Sequence, residues 1–194
     1  VETISAIYQD FLATEDKDNQ QKRGAFYTPR FLAEMVVDIA MRDNSDALNW
    51  SYLDPSCGSG IFLVILFNRL ANRWIYSQTG TIHYARKAKA LQEILKRQIR
   101  GVDVEETACR IACFSLYLAY LDFFSPPDIQ SYIEKTGKPL PQLLNYGEVP
   151  DRPEAAIPVI HKADFLDEET LFGETFDCII GNPPWEGRGS KQKA

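Results

Sequence analysis

Hydrophobic residues recur along this chain with helical spacing over several long stretches. Thr28-Pro29 is a typical helix start, with Thr28 as the N-cap and Pro29 at the first helical position, and the apolar residues after it predict a helix over 29–42. Residues 3–13 show the same spacing. Further helices are predicted over 61–76, which is apolar almost throughout, over 84–98, which is basic and amphipathic, and over 105–121.

Short apolar runs lie between these helices and predict four strands, at 52–54, 99–104, 159–165 and 176–180. Strands that alternate with helices favour a parallel sheet. We therefore expect an α/β protein with a mostly parallel, doubly wound, Rossmann-like sheet and helices on both faces. The half of such a sheet that follows the fourth strand is expected to be absent or to lie outside this chain.

The segment 125–158 has a different character. It contains seven of the eleven prolines of the chain, together with Gly137 and Gly147. Because proline has no N–H donor and restricts the residue before it, we interpret 125–158 as an irregular, Pro-rich insertion. The whole chain, 1–194, is expected to form a single domain that contains this insertion. Residues 1–28 are expected to be its N-terminal helix and opening segment.

The composition is that of a folded, soluble domain. Of the 194 residues, 45% are apolar and 25% are charged, and the net charge of −6 disfavours a protein whose whole surface binds nucleic acid, although a local basic face stays possible. The longest apolar run, Ile61–Phe67, is far shorter than the roughly 20 residues of a membrane helix, so we expect no membrane association and a cytoplasmic location. A first residue other than Met suggests a piece of a longer protein.

The cysteines do not indicate a metal site. No two of the four form a Cys-x-x-Cys pair, and only two histidines accompany them, so a zinc site is not expected. We interpret all four as buried thiols in a reducing compartment; they are Cys57, Cys109, Cys113 and Cys178.

The first candidate for chemistry is the turn after the strand 52–54, which reads Asp54-Pro55-Ser56-Cys57-Gly58-Ser59-Gly60. Here the N–H groups of a helix N-terminus meet a carboxylate at a strand end, which is typical of a ligand site. Leu63 stands where the dinucleotide fingerprint needs its third glycine, and the end of a P-loop is missing. An acid ahead of small residues suits a ligand with a cationic end, such as the ammonium of S-adenosylmethionine. The same turn would also let a strand and a helix pack closely.

Two further acids lie at the ends of predicted strands. Asp103 and Val104 are the last two residues of the strand 99–104, and a carboxylate at that place can accept both hydrogen bonds of a ribose diol. It could equally cap the next helix. Asp164 and Phe165 offer an acceptor for an exocyclic amine and a ring to lie along adenine; the alternative is a polar loop with one core phenylalanine.

The sequence Asn182-Pro183-Pro184-Trp185 follows the last predicted strand and is the most specific signal in the chain. The prolines hold the backbone extended, so that the Asn182 amide oxygen and the Pro183 carbonyl can accept both hydrogens of a planar amino group. That pairing would draw the nitrogen lone pair out of conjugation and make the nitrogen nucleophilic. Trp185 can stack on the aromatic base that carries the amine. A proline turn with a packing tryptophan is the structural alternative.

Together these segments resemble the amino-terminal part of the catalytic domain of N6-adenine-specific DNA methyltransferases, in particular type I modification subunits and fused type II restriction-modification enzymes. The resemblance covers residues 24–185. The matching segments, in family order, are Gly24-Ala25-Phe26-Tyr27-Thr28-Pro29, Asp54 to Gly60, Asp103, Asp164-Phe165 and Asn182 to Trp185. The resemblance implies a class I S-adenosylmethionine-dependent methyltransferase fold.

The resemblance also implies roles for these residues. Tyr27, Thr28 and Pro29 would contact the methionine end of the cofactor, and the turn Asp54 to Gly60 would hold that same end. Asp103 with Val104 would bind the ribose, and Asp164 with Phe165 the adenine of the cofactor. The corner 182–185 would receive the target adenine of double-stranded DNA.

The expected reaction is direct in-line transfer of a methyl group to adenine N6, with no covalent enzyme intermediate and no metal. The adenine must be flipped out of the duplex. Phosphate contacts require positive charge, which a tail with Arg188, Lys191 and Lys193 could supply. The basic stretch 86–100 is interpreted as a solvated helix face instead. A target-recognition domain or specificity subunit is expected outside this chain.

Other functions remain open at this stage. The same corner could act on a glutamine side chain of a protein or on an RNA base. A module that binds the cofactor without turnover is the alternative from another class. We expect weak to moderate cofactor binding by this chain alone and little or no sequence-specific methylation. The unpaired edge of the fourth strand could also pair with a second copy.

Overall fold

The computed structural model describes residues 28–42, 45–136, 159–167, 171 and 173–183. Within these ranges the chain alternates helices with short strands. The elements in chain order are α1 (Arg30–Ala40), a 3-10 helix (Ser45–Leu48), β1 (Tyr52–Asp54), α2 (Ile61–Tyr76), α3 (Tyr84–Gln98), β2 (Ile99–Asp103), α4 (Glu106–Leu121), α5 (Pro126–Thr136), β3 (Ile160–Lys162) and β4 (Cys178–Ile179).

The described strands form one parallel sheet with the order β3-β2-β1-β4. Tyr52 of β1 lies opposite Ile99 on one side and Cys178 on the other. Because all pairs are parallel, the carboxyl ends of the strands meet at one edge. The segments that follow β1, β2, β3 and β4 therefore start side by side, which confirms the expected α/β fold class.

The core lies between the sheet and the helices that cover it. Phe62 through Phe67 of α2 are all buried, which explains why this helix is apolar almost throughout. β1 is buried along its whole length, as expected of a central parallel strand. Phe67 meets Phe123 edge-on with ring centroids 5.8 Å apart. In the described part of the chain no single helix is long and apolar enough to span a membrane, although one helix pair bent by 104° has the length and composition.

Most predicted elements are confirmed. β1, α2 and α3 begin and end at the predicted residues, and β2 and α4 each differ by one residue at one end. β3 and β4 are shorter than predicted; among the described strands they lie at the two ends of the sheet order, each beside one hydrogen-bonded neighbour. The helix predicted over 3–13 lies outside the described residues.

The start of α1 differs from the prediction. Pro29, not Thr28, is the N-cap residue, and its carbonyl accepts the N–H of Ala33 at 3.1 Å. No side chain caps this helix. The Thr28 hydroxyl accepts a hydrogen bond from Asn182 instead, at 3.1 Å. A tertiary contact has taken the oxygen that would otherwise cap the helix.

The Pro-rich segment 125–158 is not irregular at its start. Residues Pro126–Thr136 form α5, and the structure does not describe 137–158. Pro126 and Pro127 occupy the first turn, where a helix N–H has no partner within the helix. Ser125 Oγ donates to Asp128 Oδ2 at 2.8 Å, and the Asp128 N–H donates back to Ser125 Oγ at 3.4 Å. This reciprocal cap outweighs the helix-breaking tendency of the two prolines.

Arg100 was predicted to lie on a basic helical face, and the structure places it in a strand instead. It is the second residue of β2, and its side chain is only 5% exposed. It donates to Glu174 Oε2 at 3.0 Å and to the carbonyl oxygens of Lys96 and Ile99. The residue therefore ties β2 to the segment before β4. Since α3 leads directly into β2, its carboxyl end, including Lys96 and Arg97, lies at the amino edge of the sheet, opposite the edge where the strands end.

Candidate active site

The glycine turn after β1 is held between the sheet and α4. Gly58 and Gly60 have φ angles of +52° and +85°, which favour glycine. A Cβ atom on Gly60 would lie 3.0 Å from the Cβ of Ala112, so this position also requires the absence of a side chain. The Cys57 N–H donates to the Val102 carbonyl at 2.9 Å. The turn is thereby fixed against β2, with α2 beginning directly after it.

Asp54 is the most unusual ionisable residue of the site. It is only 1% exposed, and its Oδ1 accepts the Ser56 N–H at 3.1 Å. Among the described residues, Asp54 Oδ2 has no hydrogen-bond partner although it is buried. Burial raises the pKa of Asp54 to about 7, and the negative charge of Asp103 raises it further, against the lowering effect of the Ser56 bond. Such a carboxylate favours a ligand that supplies a positive charge and a donor.

Asp103 lies beside the turn at the end of β2. Its Oδ2 accepts the Gly58 N–H at 2.8 Å and its Oδ1 accepts the Glu105 N–H at 2.9 Å. Desolvation raises the pKa of Asp103, and the backbone N–H groups of Glu105, Gly58 and Val104 oppose that shift. Each oxygen keeps a second lone pair, so the carboxylate can still accept the two hydroxyl groups of a diol.

Asp164 and Phe165 follow β3 at the same edge. The Ala163 N–H donates to the Asp103 carbonyl at 3.0 Å, which places this segment against the end of β2. Asp164 Oδ1 accepts the Leu166 N–H at 2.9 Å. The side chains of Val104 and Phe165 are 60% and 38% exposed. They leave apolar surface next to the two acids, as a planar ring would require.

Asn182 follows β4 and reaches two other parts of the site. Its Nδ2 donates to Thr28 Oγ1 at 3.1 Å, which joins the corner to the segment before α1. The preceding residue, Gly181, lies against the turn: a Cβ atom on it would be 2.5 Å from Asp54 Oδ1. The sheet register explains this proximity, because β4 pairs with β1 and the Ile180 N–H donates to the Leu53 carbonyl at 2.8 Å.

The structure therefore brings most of the predicted site residues to one edge of the sheet. The turn 54–60, Asp103, Val104, Asp164, Phe165, Asn182 and Pro183 lie there, and Thr28 and Pro29 approach it from α1. Tyr27, Pro184 and Trp185 lie outside the described residues, as do Arg188, Lys191 and Lys193. Within the described ranges no group of three or more His, Cys, Asp or Glu side chains could hold a metal ion.

Reasoning from the sequence missed one participant and one contact. Gly181 was not singled out, although its missing side chain lets Asp54 and the corner meet. Thr28 was predicted as a helix cap and a cofactor contact, but its hydrogen bond with the Asn182 amide was not predicted. The sequence does contain a signal for Gly181, because a glycine directly before an Asn-Pro-Pro corner indicates a close approach. It contains no such signal for the Thr28–Asn182 contact, which joins residues far apart in the chain.

Comparison with known proteins fits this arrangement. Residues 40–194 match the family model described as the MmeI DNA-methyltransferase domain. The chain belongs to the MmeI DNA-methyltransferase family. This confirms the predicted relationship to the adenine methyltransferases of restriction-modification systems at the level of the family.

Individual relatives are distant. The chain is 26% identical over 166 residues to the type II methyltransferase M.BstVI of Geobacillus stearothermophilus, a match that covers 84% of this chain and 24% of that protein. It is 29% identical over 119 residues to the adenine-specific methyltransferase PglX of Streptomyces coelicolor, covering 60% of this chain and 9% of that protein. This MmeI-family chain thus spans a quarter or less of these two curated relatives.

The fold also matches a solved structure. A cryo-electron microscopy structure of a DrdV–DNA complex superimposes with a TM-score of 0.55 at 18% sequence identity. The match covers 94% of this chain and 16% of the DrdV chain. At that identity the likeness supports the Rossmann-like methyltransferase fold of the MmeI family and no finer property.

Proposed function

We propose that this chain transfers the methyl group of S-adenosylmethionine to the N6 amino group of an adenine flipped out of DNA. The observation that carries the proposal is the contact of Gly181 with Asp54. It joins an acidic turn that suits a cationic ligand to a corner that suits a planar amine. A methyl donor on the turn and an acceptor at the corner would then be neighbours, as in-line transfer requires.

The residues present fit S-adenosylmethionine. The buried, unpartnered Asp54 Oδ2 would accept a hydrogen from the cofactor ammonium. The remaining lone pairs of Asp103 would accept the ribose hydroxyls, and the exposed surfaces of Val104 and Phe165 would flank the adenine. When bound, the cofactor supplies a methyl group on a positively charged sulfur. The acidic character of the turn would favour that charge as well.

Asn182 would handle the substrate amine. Its Nδ2 is engaged by Thr28, so its Oδ1 is the end of the amide directed to other partners. Oδ1 and the Pro183 carbonyl would accept the two hydrogens of the adenine amino group. The nitrogen lone pair would leave conjugation with the ring and point at the methyl group. As the bond from the methyl carbon to nitrogen formed, the bond to sulfur would break with its electron pair left on sulfur, and the methylated amine would then lose one proton to water.

The corner favours an exocyclic amine as the target, and one relative favours adenine. The corner accepts two hydrogen bonds and Pro183 donates none, which fits an exocyclic amine better than a ring carbon. The relative PglX is named as an adenine-specific methyltransferase. A paired base cannot reach such a corner, so the adenine would have to leave the helix stack, at a cost of a few kcal/mol.

Cofactor binding gives the most direct test. The chain is titrated calorimetrically with S-adenosylmethionine, alongside Asp54→Ala and the control Glu93→Gln. Glu93 pairs with Arg97 on α3, near the opposite edge of the sheet. We expect Asp54→Ala to bind at least about tenfold more weakly, because a charge-assisted hydrogen bond contributes about 1.5–3 kcal/mol. Glu93→Gln should bind like the parent chain. Equal binding by all three would contradict the proposed cofactor site.

Substrate class needs a second experiment. The chain is incubated with labelled S-adenosylmethionine and, separately, duplex DNA, RNA and a glutamine-rich protein. Products are identified by mass spectrometry. N6-methyladenine in the DNA, lost in Asn182→Ala, would support the proposal. Label in RNA or in glutamine would identify that molecule as the substrate, and the assignment of adenine in DNA would be wrong. Cofactor binding without any product would favour a module that needs further parts of a longer protein.

A further inference from the structure

Helix α1 carries a row of apolar residues on its outer side. Phe31, Met35 and Ile39 are 71%, 51% and 56% exposed. They are four residues apart, so they line up along about 12 Å of the helix. We call these three residues the outer stripe. Single apolar residues on a surface need no explanation, but a contiguous row of large ones typically marks an interaction surface.

The apolar part of α1 is wider than the core requires. Ala33 and Val37 are fully buried in the core, and the half-buried Leu32 and Val36 lie between them and the outer stripe on the helix surface. A helix with one packing partner needs an apolar arc of about 100°, whereas α1 is apolar over more than twice that arc. The pattern therefore indicates a second packing partner on the outer side of α1.

The charged residues of α1 border the outer stripe on one side and already have partners. Arg30 Nε pairs with Glu34 Oε1 at 2.7 Å, and Arg69 Nε of α2 pairs with Asp38 Oδ1 at 2.8 Å. These pairs leave the apolar row as the surface open to a partner. The partner should therefore present an apolar face and not a charged one.

The size of the outer stripe favours a partner in the same chain. Three side chains offer on the order of a few hundred Å² at most. Partners that associate freely and stably each bury about 800 Å². A second copy or a separate protein would therefore bind the outer stripe only weakly, whereas a covalently linked segment has an effective concentration of about millimolar and needs less contact area.

Segment 3–13 has the sequence of such a partner. It lies outside the described residues, and its sequence predicts a helix with one apolar face, formed by Ile4, Ile7, Tyr8, Phe11 and Leu12. A helix of this length spans about 16 Å, enough to cover the outer stripe. Residues 14–23 contain no apolar residue, so they offer no competing face. The connection 14–29 can extend to about 50 Å, which lets segment 3–13 return along α1.

We propose that segment 3–13 packs as a helix on the outer stripe of α1. Its apolar face covers the three exposed side chains, and the opening segment 24–29 runs between two packed helices. Thr28, which contacts Asn182, is then held from both sides. This inference goes beyond the proposed methyl transfer and does not depend on it.

Hydrogen–deuterium exchange of the full chain tests the packing, with no cofactor present. A helix as short as 3–13 is unstable alone in water, so slow exchange of its amides requires a packing partner. Met35→Lys places a charge in the outer stripe, and Phe11→Lys places one on the segment. Ile133→Lys is the matched control, because Ile133 is an apolar residue of α5 that is 50% exposed. Exchange of α2 reports whether the fold is intact, and analytical ultracentrifugation reports the oligomeric state.

We expect amides 3–13 to exchange slowly in the parent chain and in Ile133→Lys. They should exchange at least about tenfold faster in Met35→Lys and Phe11→Lys, with α2 unchanged. Fast exchange of 3–13 in the parent chain, or equally slow exchange in Met35→Lys, would overturn the proposal. A dimer that Met35→Lys dissociates would overturn it as well, since a second copy would then occupy the outer stripe. If Met35→Lys does not fold, unchanged exchange of α1 in Phe11→Lys overturns it instead.

Discussion

Gly181 and Asp54 lie so close that no side chain fits between them. A Cβ atom on Gly181 would be 2.5 Å from Asp54 Oδ1 and 3.4 Å from Cδ of Pro55. The carboxylate cannot simply turn aside, because it is buried and its Oδ1 accepts the Ser56 N–H. The spacing between the acidic turn and the Asn182 corner is therefore set by the absence of one methyl group.

Gly181→Ala should disturb both sides of this contact. Overpacking of a buried site costs about 1–3 kcal/mol, and the displaced carboxylate should bind S-adenosylmethionine more weakly. The measurements are thermal unfolding and calorimetric titration. Gly173→Ala is the matched control: Gly173 has a φ of +80° with nothing within 4 Å of an added Cβ, so that substitution strains the backbone without touching Asp54. Unchanged cofactor affinity in Gly181→Ala would show that the contact does not matter for binding.

Cofactor affinity should depend on pH through Asp54. Burial raises the pKa of this carboxyl to about 7, and a cationic ligand needs the ionised form. Below pH 7 each binding event must first remove a proton, so the affinity should fall by up to about tenfold for every further pH unit. Titrations between pH 5.5 and 8.5 measure the profile. Asp54→Asn should bind weakly at every pH with a flat profile; a parent profile that is equally flat would contradict the prediction.

The same carboxyl should reduce the stability of the fold at neutral pH. Its pKa is raised in the folded state, so the folded chain holds a proton that the unfolded chain has already lost between about pH 4 and 7, and stability falls as the pH rises through that window. At pH 8 the ionised, buried Asp54 lowers the stability of the fold by on the order of 4 kcal/mol. The asparagine in Asp54→Asn would instead leave an amide hydrogen unsatisfied, which costs roughly 1–3 kcal/mol. Asp54→Asn should therefore unfold at a higher temperature than the parent chain at pH 8, and this difference in melting temperature should shrink toward pH 5. Equal melting temperatures at both pH values would argue against this.

The fold was predictable where local pattern and burial agree. α2 is apolar almost throughout and begins directly after a glycine turn, so its ends coincide with its predicted ends. α5 was missed because prolines were treated only as helix breakers, whereas Pro126 and Pro127 occupy the first turn and Ser125 with Asp128 caps it. Arg100 was assigned to an exposed basic stretch because its partner, Glu174, is distant in the chain. Ion pairs of that kind follow from topology, which a local pattern does not encode.

The site was predictable for the residues that follow strands. Asp54, Asp103 and Asn182 could be placed at one edge because parallel strands end on the same side. What could not be predicted is how these residues touch. The Gly181–Asp54 contact depends on the β1–β4 pairing, and the Thr28–Asn182 bond joins the residue two positions before α1 to the segment after β4. Both are tertiary contacts between residues far apart in the chain, which a local sequence pattern does not encode.

Ser51 and Asp177 stabilise the β1–β4 pairing that places Asn182. They lie at the opposite edge of the sheet, where these two strands begin. Asp177 Oδ2 accepts the Ser51 N–H at 2.8 Å and the Ser51 hydroxyl at 2.9 Å, and the Asp177 N–H donates to the Ser51 carbonyl at 3.0 Å. The hydrogen bonds from Ser51, first the backbone N–H and then the hydroxyl, lower the pKa of Asp177. The ionised carboxylate therefore stabilises the fold above the ordinary aspartate pKa, and this contribution is lost as the pH falls through the lowered value.

Asp177→Asn should accordingly lower the melting temperature at pH 7, and the difference from the parent chain should narrow as the pH falls below about 4. Ser51→Ala removes one of the two donors and should give a smaller loss of the same sign. Asp122→Asn is the control, because Asp122 is an exposed acid at the carboxyl end of α4, where a negative charge gains nothing from the helix dipole. That variant should not melt earlier at pH 7. If Asp177→Asn also leaves the melting temperature unchanged, the register of β4 must be held by its backbone pairing with β1 alone.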